Sequence, residues 1–298
     1  MNKKLLIPLL FFAAPLAAQD EFDFFAFENN IKETAQAINA AETDSARKAS
    51  SEFLFAQLQQ VLQQPGSFNY NFDTLRSRTV SIITPPDRKF HIYTFNTVLL
   101  NGDFIHYGIL HYKDKKEFEV IPLKDTMRAL PKGVQNGPLF PDEWYGALYY
   151  QIHEIKHWCR PTKYILLGFD GANITINRKV IDVLTFTKEG PIFGSEIFRE
   201  GDFDPDYEFR VVMEANGEVF QTLRFLETGK TGNIILDRLQ PSYPEVAGDV
   251  RYNIPSGEYD IYKLNRKGRY KKVEAKNYDF GQGDGKIKPV FARPEDAE

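Results

Sequence analysis

Two periodicities divide the chain. Between Phe27 and Ala40, Ala, Ile, Glu and Lys mix without a Gly or Pro, which predicts a helix. A second helix is better marked. Asp44 or Ser45 can cap it, Phe53, Leu54, Leu58, Val61 and Leu62 recur at three-to-four spacing, and Pro65-Gly66 ends it. A single apolar stripe on an otherwise polar helix needs a partner surface, most simply the sheet that follows.

From about Val80 the period changes from 3.6 to 2. Segments rich in Tyr, Phe, Ile and Val run through Lys89–Phe95, Phe104–Tyr112, Phe118–Ile121 and Tyr164–Phe169, and continue through Lys179–Phe186 and Tyr207–Met213. Four more follow at Val219–Phe225, Asn233–Leu239, Glu258–Leu264 and Lys271–Ala275. Asn101-Gly102, Asp170-Gly171, Asn177-Arg178 and Asn216-Gly217 supply turn residues between them, and Asn-Gly and Asp-Gly tolerate the positive φ of tight hairpins. This spacing predicts a mainly β fold: an antiparallel meander forming a sandwich or open barrel, with an N-terminal helical arm. The expected organisation is an arm over residues 19–70 and a β-rich domain over 71–280. The Pro-rich stretch 122–141 can subdivide that domain, and 281–298 reads as a flexible tail.

The N-terminus has the three zones of an export signal: Lys3 and Lys4, an apolar run Leu5–Phe12, and a small-residue exit Ala13–Ala18 before Gln19 and Asp20. The expectation is a signal peptide over 1–18, cleaved near Ala18, and a periplasmic or secreted product. No later stretch approaches a transmembrane helix in length. Loss of two lysines from a chain with 37 basic and 41 acidic side chains leaves a net charge near −6. That balance offers no attraction to nucleic acid or to an anionic membrane. Cys159 is the single cysteine, so no intramolecular disulfide can form and a hydrophobic core must hold the fold.

His153-Glu154-Ile155-Lys156-His157 matches H-E-x-x-H. On a helix, His153 and His157 would share a face and could bind one zinc, with Glu154 as general base toward a metal-bound water. Pro141-Asp142-Glu143 is a reasonable helix start. Gly146, Tyr149, Tyr150 and the Ile residues favour a strand instead, and Pro161 closes the segment. On a strand the two histidine Cα atoms stand about 13 Å apart at ~3.3 Å per residue, beyond the reach of one ion. No histidine follows His157, so a third ligand would come from Asp170, Asp182, Glu189 or Glu196. The strand is the reading these residues favour.

Residues WYGALYYQIHEIKH, YILLGFDG, INRKVIDVLTF and PIFGSEIF, spanning Trp144–Phe198, resemble a family of uncharacterised exported bacterial proteins, with a fainter echo at Lys89–Tyr112. The resemblance implies a β segment here and supports export. It carries no assigned activity, and paired histidines at these positions are not among the family's features.

Other candidates are weaker. Cys159 lies two residues from His157 without an oriented base or oxyanion site in view, and reads as a turn cysteine. His106 and His111, five apart, point to opposite faces of a strand. Asp202, Asp204 and Asp206 alternate, but Tyr207 and Met213 stand where a helix-loop-helix calcium loop needs Gly and Glu. Gly281–Gly285 lacks the strand and helix that a phosphate cradle requires. The function expected from the sequence is therefore a non-catalytic binding or structural protein of the cell envelope, with a protein or glycan as ligand and no cofactor. A zinc-dependent metallopeptidase at His153, Glu154 and His157 is the first alternative, and zinc enters only there. A hydrolase acting on glycans through dispersed carboxylates is the second.

Overall fold

The computed structural model describes residues 22–76, 79–114, 117–126, 137–201, 206–226 and 231–278. The expected signal peptide, Asp202 and Asp204, the Gly281–Gly285 run and the tail fall outside them.

Helix α1 (Phe24–Ala37) is capped by Asp23, whose carboxylate accepts the Ala26 N–H at 2.8 Å. Helix α2 (Asp44–Leu62) is capped by Thr43, one residue earlier than expected, through its hydroxyl and the Ala46 N–H at 3.2 Å. The stripe that α2 buries is Ser51, Leu54, Leu58, Val61 and Leu62. Phe53 lies off it and is half exposed. Glu28 of α1 is buried because it has two donors: the Tyr70 hydroxyl at 2.8 Å and the Leu75 N–H at 3.1 Å, which draw in the short helix α3 (Asp73–Arg76).

The first sheet is an antiparallel meander of β1 (Ser81–Ile83), β2 (Phe90–Val98), β3 (Phe104–Asp114) and β4 (Glu117–Lys124), in that order. The second has β5 (Leu148–His157), β6 (Arg160–Asn173) and β7 (Ile176–Thr187) side by side. The far edge of β7 is shared by β8 (Gly190–Phe193) and β10 (Val211–Asn216). The third runs β11 (Leu223–Phe225), β12 (Ile234–Pro241), β13 (Asn253–Leu264), β14 (Tyr270–Glu274), and then β9 (Phe198–Arg199), which joins β14 in parallel.

These elements stack in four layers. The helices cover one face of the first sheet around Tyr93, Phe95 and Ile109. Its other face, with Phe90, Ile92 and Leu110, packs on Tyr149, Tyr164, Leu166 and Val180 of the second sheet. The opposite face of the second sheet, with Ile165, Leu167, Ile181 and Val183, packs on Ile234, Leu236, Tyr262 and Tyr270 of the third. The first and second sheets are therefore each covered on both faces, which is why the centres of β2, β3, β6 and β7 are unbroken buried runs, whereas β10 alternates. The expected sandwich is present, doubled.

Several expected turns move. Asp170-Gly171 and Asn177-Arg178 lie inside β6 and β7, and the hairpin turns at Ile174-Thr175 after a register shift between Asp170 and Asn173. Side chains make that shift possible: Asp170 accepts the Ala172 N–H at 2.8 Å, and Asn173 accepts the Thr175 N–H at 2.9 Å.

Candidate functional site

The HEIKH segment is a strand. It forms the outer half of β5, with His153 opposite Ile165 and Glu154 opposite Tyr164 on β6. Neighbouring residues on a strand take opposite faces, and these do. His153 turns toward the third sheet, its ring 5.4 Å from that of Phe225 and pressed against Gly232, and burial pushes its pKa below the ordinary histidine value. Glu154 turns toward the first sheet, near Asp87, with its Oε2 3.1 Å from the Lys156 ammonium. A bulge between Ile155 and His157 breaks the alternation, and His157 ends the strand exposed. The two imidazoles and the carboxylate between them do not converge.

The downstream carboxylates do not complete a zinc set either. Asp170 and Asp182 face the first sheet, on the far side of the second sheet from His153. Glu189 lies in an exposed turn, and Glu196 is exposed. Among the described residues no group of three or more His, Cys, Asp or Glu side chains could hold a metal ion. Protein purified without chelator is expected to contain far less than stoichiometric zinc by elemental mass spectrometry. His153→Ala should leave that content unchanged, whereas stoichiometric zinc lost in the variant would contradict this geometry. Cys159 is exposed in the β5–β6 turn.

Two polar clusters are enclosed between the first and second sheets. In one, Asp182 and Arg210 are both fully buried and pair at 3.3 Å. The Tyr149 hydroxyl donates to Asp182 at 2.9 Å and accepts from the Trp144 indole at 3.1 Å. Arg210 also donates to the carbonyls of Gly137 and Phe193, each at 3.1 Å. In the other, His106 stands between two carboxylates: Asp125 lies 3.3 Å from Nδ1, and Asp170 lies 3.7 Å from Nε2. Arg178 extends the chain to Asp170 at 3.1 Å and to Glu214 at 2.8 Å. The His106 side chain is only 3% exposed, so no substrate reaches it. Its chemistry is to tie β3 to β6.

Among the described residues, one accessible concavity is a groove of about 740 Å³ where the ends of the first and second sheets meet. Four chain segments build it: Lys89 at the start of β2, the β3–β4 hairpin, the first residues of β6, and the β7–β8 turn. Tyr112, Tyr164 and Phe186 form its aromatic wall, with ring centroids 5.0 Å apart for Tyr112–Phe186 and 6.2 Å for Tyr164–Phe186. Phe90 packs edge-on behind Tyr164 at 4.8 Å and fixes that ring. The strand register brings the wall together, since Phe90 and Tyr112 are direct cross-strand partners. Hydroxyls are also held in place: Tyr164 donates to Asp87 and Tyr112 to Glu119, both at 2.7 Å. Burial opposes ionisation of Asp87, but hydrogen bonds from Tyr164 and the Lys89 amide outweigh it and hold its pKa below the usual carboxylate value. The rim carries Lys89, Lys113 and Lys188 against Asp114, Glu119 and Glu189, so its charges cancel. Trp158, in the β5–β6 turn ahead of the lining residues Pro161 and Thr162, is 98% exposed.

Sequence reasoning missed this groove. Its parts lie up to a hundred residues apart, and the one local signal was an aromatic next to a lysine at several strand ends. Compared with family models, with curated proteins and with solved structures, the chain finds no match.

Proposed function

We propose that this chain is an exported, non-catalytic binding protein of the cell envelope whose groove takes an uncharged saccharide. The observation that carries the reading is the groove lining. Aromatic rings offer flat apolar faces to the C–H side of a sugar ring, and threonine hydroxyls and charged rim groups exchange hydrogen bonds with its hydroxyls. A rim whose three lysines are matched by three carboxylates favours neither an anionic nor a cationic ligand. The groove volume lies within the range of small-ligand sites. The three zones of residues 1–18, and the resemblance of Trp144–Phe198 to exported bacterial proteins, support export.

Glycan hydrolysis fits less well. It needs two carboxyl groups separated by roughly 5 Å or more to flank a scissile bond. The carboxylates that line the groove, Asp114, Glu119 and Glu189, sit on its rim among three lysines, and Glu119 is occupied by the Tyr112 hydroxyl at 2.7 Å.

Phe186 forms the wall from the second sheet, and its loss should be felt directly. Isothermal titration of the full chain with neutral hexasaccharides of glucose, mannose and N-acetylglucosamine is expected to give binding by at least one. Phe186→Ala should weaken it tenfold or more, as base- or sugar-stacking aromatics are worth about 1–3 kcal/mol. His153→Ala, on the opposite face of the second sheet, serves as the control with affinity unchanged. Absence of binding across the panel, or equal weakening by both variants, would sink the proposal.

A further inference from the structure

We propose that His91 and His111 form an acid-sensitive latch holding the turn after α2 against the first sheet. The two are direct cross-strand partners on β2 and β3, with ring centroids 6.3 Å apart, and both face the helical layer. Phe68, from the Ser67–Asn69 turn that follows α2, wedges onto them. Its ring stands edge-on to His91 at 4.5 Å and to His111 at 5.0 Å. Phe118 of β4 closes the box, 4.7 Å from Phe68 and 6.0 Å from His111. The wedge belongs to the helical layer, since the Ser67 hydroxyl donates to the Leu62 carbonyl at 2.7 Å.

The box disfavours a positive charge, and the group that favours it is the Phe68 backbone, which hydrogen-bonds His91 and is outweighed by burial. His111 is fully buried, and neither of its ring nitrogens has a hydrogen-bond partner. His91 Nδ1 is taken by the Thr84 hydroxyl at 2.7 Å. The charged groups nearby are cations: Arg76 from α3, Arg88 from the β1–β2 turn, and Lys113 of β3, whose ammonium lies 5.8 Å over the Phe118 ring. Tyr93, beside His91 on β2, is a phenol kept protonated by burial. Among the described residues no carboxylate pairs with either ring. Burial, with repulsion from His91 added, lowers His111 to about 4, and burial lowers His91 as well. Both folded values lie below the unfolded value of 6.5. The unfolded or open box therefore binds more protons, and stability present above pH 6.5 is lost as pH falls toward 4. Withdrawal of Phe68 is the shortest route by which water reaches the rings.

Hydrogen–deuterium exchange of the full chain, corrected for intrinsic rates, reads the opening. Between pH 7 and pH 4.5, protection over 63–72 and the facing ends of β2 and β3 is expected to fall on the order of fifty-fold, with sheet three unchanged. His111→Phe keeps the box aromatic, leaves His91 as its single titrating ring and should cut the acid response several-fold. A second reading needs no variant: in the wild-type protein the His111 ring proton should titrate below pH 5, together with a shift of the Phe68 ring resonances. An acid response equal in His111→Phe, unchanged protection at pH 4.5, or titration of His111 near 6.5 would overturn the latch.

Discussion

Asp182→Asn is expected to cost about 3–5 kcal/mol of stability, the range for breaking a buried ion pair from one side. The substitution keeps shape and volume but removes the charge opposite Arg210, whose side chain is 0% exposed. The guanidinium keeps its bonds to the Gly137 and Phe193 carbonyls, yet it loses the Asp182 carboxylate at 3.3 Å in a fully buried site. A loss of this size should lower Tm by roughly 6–10 °C for a chain this long. The paired variant Asp182→Leu with Arg210→Met removes both charges and should recover part of the loss. If Asp182→Asn melts within a degree of wild type, the pair does not hold the second sheet as described.

Gly146→Ala should be the next most damaging, at about 2–4 kcal/mol. Gly146 has φ +78°, where a Cβ is strained by itself, and an added Cβ would stand 2.5 Å from the Asp125 carboxyl carbon. Asp125 would have to leave the His106 N–H and ring Nδ1, which it contacts at 3.1 and 3.3 Å, and His106 would then lose a buried partner. Gly248→Ala separates the two effects, because Gly248 also has positive φ (+93°) but faces open space. That control should lose only about 1 kcal/mol in chemical denaturation. Equal losses at the two glycines would mean that backbone strain alone, and not the seat of Asp125, explains the effect.

The elements were more legible than their arrangement. The stripe on α2 and the alternation in β10 follow from one covered face each, and a local pattern records that directly. The unbroken runs of β6 and β7 carried a further message, two covered faces and hence a middle layer, which their reading as ordinary hairpin strands passed over. Strands β8 and β9 are four and two residues long, too short to set a period. β9 also pairs in parallel with β14, with β10 to β13 between them in the chain, which no turn residue announces. The bulges in β5 change which face a residue takes, so the fate of His157 could not be counted from His153.

The sites were less legible still, because they depend on register. His111 drew notice only as a partner for His106, which it faces away from; its real partner, His91, becomes visible once Phe90 is set opposite Tyr112. Asp170 and Asp182 drew notice as metal ligands, and each is instead satisfied by an arginine distant in sequence or across a turn. HEIKH was the loudest local signal and brings nothing together, since a strand sends His153 and Glu154 to opposite layers. Tyr112, Tyr164 and Phe186 were silent because a groove built from four strand ends has no motif.

Whether the groove between the first two sheets takes a saccharide, as proposed, is read most directly by chemical-shift mapping of the isotope-labelled full chain titrated with the same neutral hexasaccharides. Saturable shifts are expected at Tyr112, Thr162, Tyr164, Phe186 and Lys188, with His153 still. Shifts centred on β11 and β12 around His153, or a spectrum that none of the sugars moves, would contradict the proposal.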